Sequence, residues 1–394
     1  MEVRTLLLCS RPPWPLRGGD RVRTWHLARA LSTLGPVSVV ALRGADEDPD
    51  EIRAGLPFVS RWWLPTLRRP TAALRSATAL LHDRSLQQAV YDAPEARAAV
   101  TEALQDGGID VVVAHLVRTV PWVPASSPPL VVDVQDALSA QYEASRGKGR
   151  GWRGWAMAVE RGRIGRAEAN AVERADLVAF ICDRDRVAIV HDGPGRTTIA
   201  PPVVDLETFR PRDVLPDRGV VGFLANLRSA SNRDMAIHMA RKILPLVRSA
   251  RPEAELRIMG IEAGHDVRSL GKLPGVSFVG PVEDAALELA RCQLTVCPLR
   301  FGSGVQNKVL ESLAVGTPAV VTPEAAAALG PRVGDAVAVG ALDRSFAMEI
   351  VDLLAHPEQR ARRGTAGRAF VEAVHGAETA PAEFLAAVRA LAEG

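Results

Sequence analysis

The 394-residue chain is predicted to be α/β, built as two doubly wound domains, on three observations. Short β-rich runs alternate with amphipathic helical runs nearly throughout, the pattern of parallel sheets with crossover helices. The alternation breaks at Pro201-Pro202 and the polar, proline-bearing Phe209–Arg218 stretch, then resumes. The length also exceeds what a single hydrophobic core ordinarily serves.

In the first half the strand candidates are Thr5–Cys9, Val37–Leu42, Asp110–Ala114, Leu130–Val134, Leu177–Cys182 and Thr197–Ile199. Helices are expected between them, including Arg21–Leu34, Leu86–Leu104 and Trp152–Arg174. The second series reads Val220–Leu224, Glu255–Met259, Val276–Val279, Gln293–Cys297, Ala319–Val321 and Ala336–Val339. Its helices include Asn232–Arg248, Val305–Val315 and Ser345–Ala355. A last helix, Pro381–Ala392, follows a break at His375-Gly376 and is expected to fold back onto the first domain. The domains are therefore set at 1–200, completed by a C-terminal helix 378–394, and 201–377. Sheets of this kind bind ligands at their strand carboxyl ends, here expected to face each other across a cleft.

Composition narrows the function. The chain is 47% apolar and 24% charged with a net charge of +2, which argues against a dedicated nucleic-acid binder. Cys9, Cys182, Cys292 and Cys297 show no paired spacing, and three of them end apolar runs, so buried free thiols are expected. No apolar stretch approaches the ~18 residues of a membrane span, and the N-terminal apolar run is too short for a signal peptide. The reading is a cytoplasmic protein.

The most informative run is Gly302-Ser303-Gly304-Val305-Gln306-Asn307-Lys308-Val309-Leu310-Glu311, followed by Gly316-Thr317-Pro318. Glycines lead into a helix whose N–H groups and dipole favour an anion, with a lysine in its first turn. Val305, Val309, Leu310 and Leu313 fall on one side of the helical wheel; Asn307, Lys308 and Glu311 fall on the other. A diphosphate near Gly304 and Lys308, with ribose hydroxyls on Glu311, fits that layout. The competing reading is a surface helix with a local Lys–Glu pair.

Three features of the first half point to the opposite wall of the cleft. The loop Arg11–Asp20 carries Gly18-Gly19 before a helix but lacks the dinucleotide spacing, so NAD or FAD is not expected. It suits a sugar phosphate or an acceptor, or is simply a tight strand-to-helix turn. His115 closes a strand, where it can bond a sugar hydroxyl or phosphate, with Arg118 supporting it from the same loop. Asp133 and Asp136 close the next strand and can orient an acceptor hydroxyl or merely cap a helix. Two basic-aromatic stretches, Arg61–Arg69 and Arg146–Arg166, suit either a peripheral membrane contact or a solvated surface over packed aromatics.

These residues resemble GT-B glycosyltransferases of the large retaining group that carries a Glu–seven residues–Glu motif. Within it, the chain is most similar to bacterial sugar transferases of exopolysaccharide and protein-sorting gene clusters. The resemblance covers most of the chain. It runs through Pro13-Trp14-Pro15, Gly18-Gly19-Asp20, Arg23 and His26, the linker Ile199–Phe209, Gly222–Asp234, and above all Gly304–Glu311 with Gly316-Thr317-Pro318. One position departs: the first glutamate of the motif falls at 303, where this chain has serine.

The resemblance implies a GT-B fold, two Rossmann-like domains, with a nucleoside-diphosphate sugar (UDP- or GDP-linked) held by the C-terminal one. Its donor residues would be Gly302, Ser303, Gly304, Val305, Asn307, Lys308, Glu311 and Arg233. Lys308 and Arg228 would stabilise the departing diphosphate, without a metal or other cofactor. Glycosyl transfer would retain configuration, the acceptor hydroxyl attacking from the leaving-group side. His115 would assist, and Gly18, Gly19, Asp20, Arg118 and Asp136 would line the acceptor side. The acceptor would be a glycan, a lipid-linked saccharide or a small molecule. A nucleotide-sugar epimerase and a non-catalytic nucleotide-binding scaffold of the same fold are the rival readings.

Overall fold

The computed structural model describes residues 2–16, 18–67, 75, 85–140, 152–190, 196–261, 264–302 and 304–394, with backbone alone for 152–158. The chain divides into two compact units, Met1–Val203 with Ala380–Gly394, and Val204–Thr379.

Unit 1 is a seven-stranded parallel sheet: β1 (Thr5–Cys9), β2 (Val37–Ala41), β3 (Val59–Trp63), β4 (Val111–His115), β5 (Leu130–Gln135), β6 (Leu177–Phe180) and β7 (Thr197–Ile199). Their order is β3-β2-β1-β4-β5-β6-β7. Continuous apolar strands mark a sheet covered on both faces. Leu6, Leu8, Val112 and Val132 enter one core, while Leu7, Cys9, Val113 and Val131 enter the other. The helix Ala382–Ala392 seals the second core with Phe384 and Val388, one turn apart and both fully buried.

Unit 2 repeats the plan with β8 (Val220–Leu224), β9 (Glu255–Met259), β10 (Val276–Gly280), β11 (Leu294–Cys297), β12 (Ala319–Val321) and β13 (Val337–Val339), in the order β10-β9-β8-β11-β12-β13. In each sheet the order reverses beside the first strand, at β1/β4 and at β8/β11. Connections leave that point in opposite directions, so the carboxyl ends there stay open to a ligand.

Three elements differ from the sequence reading. Edge strand β3 was not expected, because Val59-Ser60-Arg61-Trp62-Trp63 has no apolar run; Arg61 points outward to Asp106 at 3.0 Å. Trp62 and Trp63 pack against the two cores of unit 1, whereas residues 68, 69 and 146–151 of the basic-aromatic stretches lie outside the described residues. The single helix expected over Leu86–Leu104 is two, Leu86–Tyr91 and Pro94–Gln105, because Pro94 cannot continue a helix from within but starts one well. The run expected over Asn232–Arg248 is Ala230–His238 and Leu244–Ala250 joined by a π turn at Met239–Ile243. All four cysteines are buried and free. No helix among the described residues is long and apolar enough to cross a membrane.

The long helix Pro357–His375 fixes the shorter Asn307–Val315 through two glycines. A Cβ on Gly364 would stand 2.2 Å from the Gly316 carbonyl oxygen, and one on Gly367 would meet Leu313 at 2.7 Å. Backbone cannot yield as a side chain can, so Gly364→Ala is expected to lower the unfolding free energy by about 1–3 kcal/mol. Urea titration of the variant checks this, and wild-type stability would contradict the packing described.

Candidate functional site

In unit 2 the helix Asn307–Val315 follows the loop Phe301–Gln306 at the carboxyl end of β11. It begins two residues later than the sequence suggested, so Lys308 is its second residue. Gly302 (φ 123°) and Gly304 (φ 77°) hold the loop in conformations that an L side chain rarely adopts. No side chain caps this helix, nor the helix Ala230–His238 that follows β8. Ser231 Oγ of the second helix donates to the Phe301 carbonyl at 2.8 Å, which draws the two helix starts to one loop. Two uncapped N-termini on one loop make a region of positive potential.

The side chains follow the predicted division. Val309, Leu310 and Leu313 are buried, Val305 packs against the same core, Asn307 is exposed, and Lys308 and Glu311 are half-buried. Lys308 Nζ donates to Gln306 Oε1 at 2.9 Å, and Gln306 Nε2 reaches the Gly304 carbonyl at 3.3 Å. The ammonium is thereby held over the glycine loop. Burial raises the Glu311 carboxyl above its ordinary range, and Lys308 draws it back. Glu311 has no hydrogen-bond partner among the described residues, leaving its carboxylate open to hydroxyl donors.

At the far end the helix closes on Gly316, and Ser312 Oγ lies 2.6 Å from Thr295 Oγ1 and 3.0 Å from the Thr317 carbonyl. Thr317 Oγ1 in turn donates to the Leu289 carbonyl, so Gly316-Thr317-Pro318 anchors the helix. Arg228 lies exposed in the loop after β8, its N–H bonded to Asn226 Oδ1, and Arg233 is half-buried on the helix that follows. Ser303 lies outside the described residues.

In unit 1 the structure joins residues that the sequence left apart. His115 Nδ1 lies 2.8 Å from Asp133 Oδ2, and Arg23 grips both oxygens of the same carboxylate at 3.0 and 2.6 Å. Asp133 is fully buried. Burial alone would raise its pKa, but Arg23 and His115 outweigh it and hold the carboxyl well below the usual carboxylate range. An ionised carboxylate only accepts, so Nδ1 carries a proton, and Nε2 is left outside the pair. That Nε2 is buried and without a partner among the described residues. Leu116 and Gln135, just past this pair, are the two non-glycine residues at positive φ among those described. Strain of this kind gathers at functional sites.

Two expectations are corrected here. Asp133 is consumed by Arg23 and His115 and is not available to an acceptor hydroxyl. Arg118 does not support His115: its Nε donates to Ser10 Oγ at 2.8 Å, and its guanidinium lies 4.4 Å from the centre of the Tyr91 ring. Gly18 caps the helix Gly19–Leu31 with φ 102°, Gly19 opens it, and Asp20 sits in its first turn. The carboxylate of Asp20 stands 3.6 Å from Arg11 and 3.9 Å from Arg118. Sequence reasoning missed Arg11 and Tyr91 as members of this group, for no spacing links positions 11, 91 and 118.

Asp136 lines a cavity of about 40 Å³ together with Leu116, Arg118, Val134, Leu138 and Glu168. Burial first, then Asp185 and Asp133 against the pull of Arg23 and Arg184, push its carboxyl up to about 7. Burial likewise raises Glu168 and Asp185. Among the described residues no group of three or more His, Cys, Asp or Glu side chains is placed to hold a metal ion.

Residues 218–356 match the family model of Glycosyl transferases group 1. Solved structures share the architecture over nearly the whole chain. Sucrose-phosphate synthase from Thermosynechococcus elongatus is 17% identical with a TM-score of 0.72, covering 98% of this chain and 99% of its own. HepE of Anabaena, in complex with UDP, is 15% identical with a TM-score of 0.68, covering 99% and 100%. The fold is GT-B. WaaG, a glycosyltransferase involved in lipopolysaccharide biosynthesis, is 14% identical with a TM-score of 0.63 over 99% and 100%. Among curated proteins no sequence matched the chain. In GT-B terms the glycine loop belongs to the unit that carries the family match, and the His115–Asp133 pair belongs to the other.

The raised Asp136 carboxyl has a consequence for stability. The folded chain keeps this proton between about pH 4, where an unfolded aspartate loses it, and about 7. The contribution of Asp136 is therefore complete below that window and is lost as pH rises through it. Asp136→Asn removes the titration, so its urea stability should fall less between pH 5 and pH 8 than that of wild type. Equal losses would contradict the assignment.

Proposed function

We propose that the protein transfers a sugar from a nucleoside-diphosphate sugar to an acceptor hydroxyl, with unit 2 holding the donor and unit 1 the acceptor. The observation that carries this is the glycine loop Gly302–Gln306 with two uncapped helix ends and Lys308 held over it. The match to Glycosyl transferases group 1 covers that loop, and a solved protein of the same fold is described in complex with UDP.

The diphosphate lies along Gly302, Ser303 and Gly304 and the N–H groups of Asn307 and Lys308, with Val305 behind them. Glu311 accepts the ribose hydroxyls. Departure of the diphosphate builds negative charge, and fixed donors that need no reorganisation stabilise it: Lys308 and the helix ends first, then Arg228 and Arg233. The acceptor hydroxyl attacks from the leaving-group side, the glycosidic C–O bond breaks, and the departing phosphate oxygen takes the hydroxyl proton. Configuration is then retained without an enzyme nucleophile and without a metal. On unit 1, Gly18, Gly19, Asp20 and Asp136 border the acceptor. His115 reaches a sugar hydroxyl through Nε2 once the groups that cover it shift.

The test is nucleotide release from a panel of UDP- and GDP-sugars, with and without candidate acceptors, together with calorimetric UDP binding. Glu311→Ala should weaken UDP binding about tenfold, the scale of hydrogen bonds to a charged group. Lys308→Ala should lower kcat by about 100-fold with a smaller change in KM. Unchanged UDP affinity in the first variant removes the role of Glu311, and a kcat within about twofold of wild type removes that of Lys308.

A further inference from the structure

We propose that Arg11 and Arg118, mounted on Tyr91, form a site for the phosphate group of a phosphorylated acceptor; this rests on unit 1 being the acceptor unit. Tyr91 is buried in the core that holds Ala93, Val120 and Trp122, and this packing makes its ring a fixed platform. Arg118 stacks on that ring, and Arg11 Nε donates to its hydroxyl at 3.0 Å. Each guanidinium thus spends its Nε on the protein, Arg118 on Ser10 and Arg11 on Tyr91. Their terminal nitrogens hold no hydrogen bond among the described residues. Asp20, the one carboxylate placed against both, stands at 3.6 and 3.9 Å, beyond hydrogen-bond reach. Glu47, the other acid near Arg11, is taken by Arg21 and the Gly44 N–H.

Two cations therefore share one unbonded carboxylate. Burial and the repulsion from Arg11 disfavour the charged form of Arg118 against the pull of Tyr91 and Asp20, a cost that a bound dianion offsets. Four terminal nitrogens and the Ser10 hydroxyl offer more donors than the two oxygens of a carboxylate accept, whereas a phosphate monoester has three free oxygens. The Arg118 side chain is only 16% exposed and that of Arg11 is 50% exposed. Access to Arg118 is therefore more restricted than access to Arg11, which suits a small ligand rather than a flat membrane surface. The acceptor class is accordingly a sugar phosphate rather than a neutral saccharide.

The test is calorimetric binding of glucose 6-phosphate, glucose and glucuronate to the full chain, with and without UDP. Wild type should bind glucose 6-phosphate, with Arg11→Gln and Arg118→Gln each about tenfold weaker or more, and with UDP affinity unchanged. Arg11 is half exposed, so its variant stays folded even if the Arg118 variant does not. No binding by wild type, an affinity in Arg11→Gln within about twofold of wild type, glucuronate bound as tightly, or displacement by UDP would each overturn the proposal. Failure of UDP to bind, with glucose 6-phosphate still held through the arginines, would remove the donor reading and leave this site standing.

Discussion

A strand that runs parallel to its neighbour cannot be reached by a tight turn, so the chain must return along a crossover on the face of the sheet. That constraint gives all the carboxyl ends of a sheet one edge, and it leaves a gap where the crossovers change direction. In this protein the gap falls beside β1 and β4 in one unit and beside β8 and β11 in the other. The loops that leave those strands carry Ser10 and Arg11, His115 and Arg118, Arg228, and the Gly302–Gln306 run. Chemistry collects there because the backbone has nowhere else to open.

The two edges are equipped differently. Unit 2 presents backbone: glycines at positive φ, uncapped helix starts, and a lysine tethered through Gln306. Such groups suit a diphosphate, since they are aligned by the fold before any ligand arrives. Unit 1 presents side chains held by other side chains. Arg23 and His115 lock Asp133, while Tyr91 carries Arg11 and Arg118. The first arrangement neutralises a buried charge; the second leaves positive charge in excess.

How much was legible in the sequence follows from the range of each interaction. The bounds of β1, β8 and β12 match the sequence pattern because a continuous apolar run is a local signal, and those of β9 match because its apolar and polar residues alternate. The helix bearing Lys308 and Glu311 was equally legible, its apolar and polar sides being written in consecutive residues. The outward arginine of β3 masks that edge strand in the sequence, and the helical pattern continues through Pro94 although the helix itself restarts there. Asp133 looked like a free carboxylate because its partners stand 110 and 18 residues away. Arg118 follows His115 by three residues in sequence, yet it bonds Ser10 at the end of the neighbouring strand β1. Long-range charge pairing leaves no periodic trace, so it was visible only in the fold.

In the proposed function the glycine loop of unit 2 holds the diphosphate of a nucleotide sugar. A crystal structure of the full chain with UDP tests it most directly. Phosphate oxygens are expected within hydrogen-bond distance of the Gly302–Lys308 backbone and Lys308 Nζ, with the ribose hydroxyls on Glu311. UDP bound on unit 1, or in unit 2 away from that loop, would contradict it.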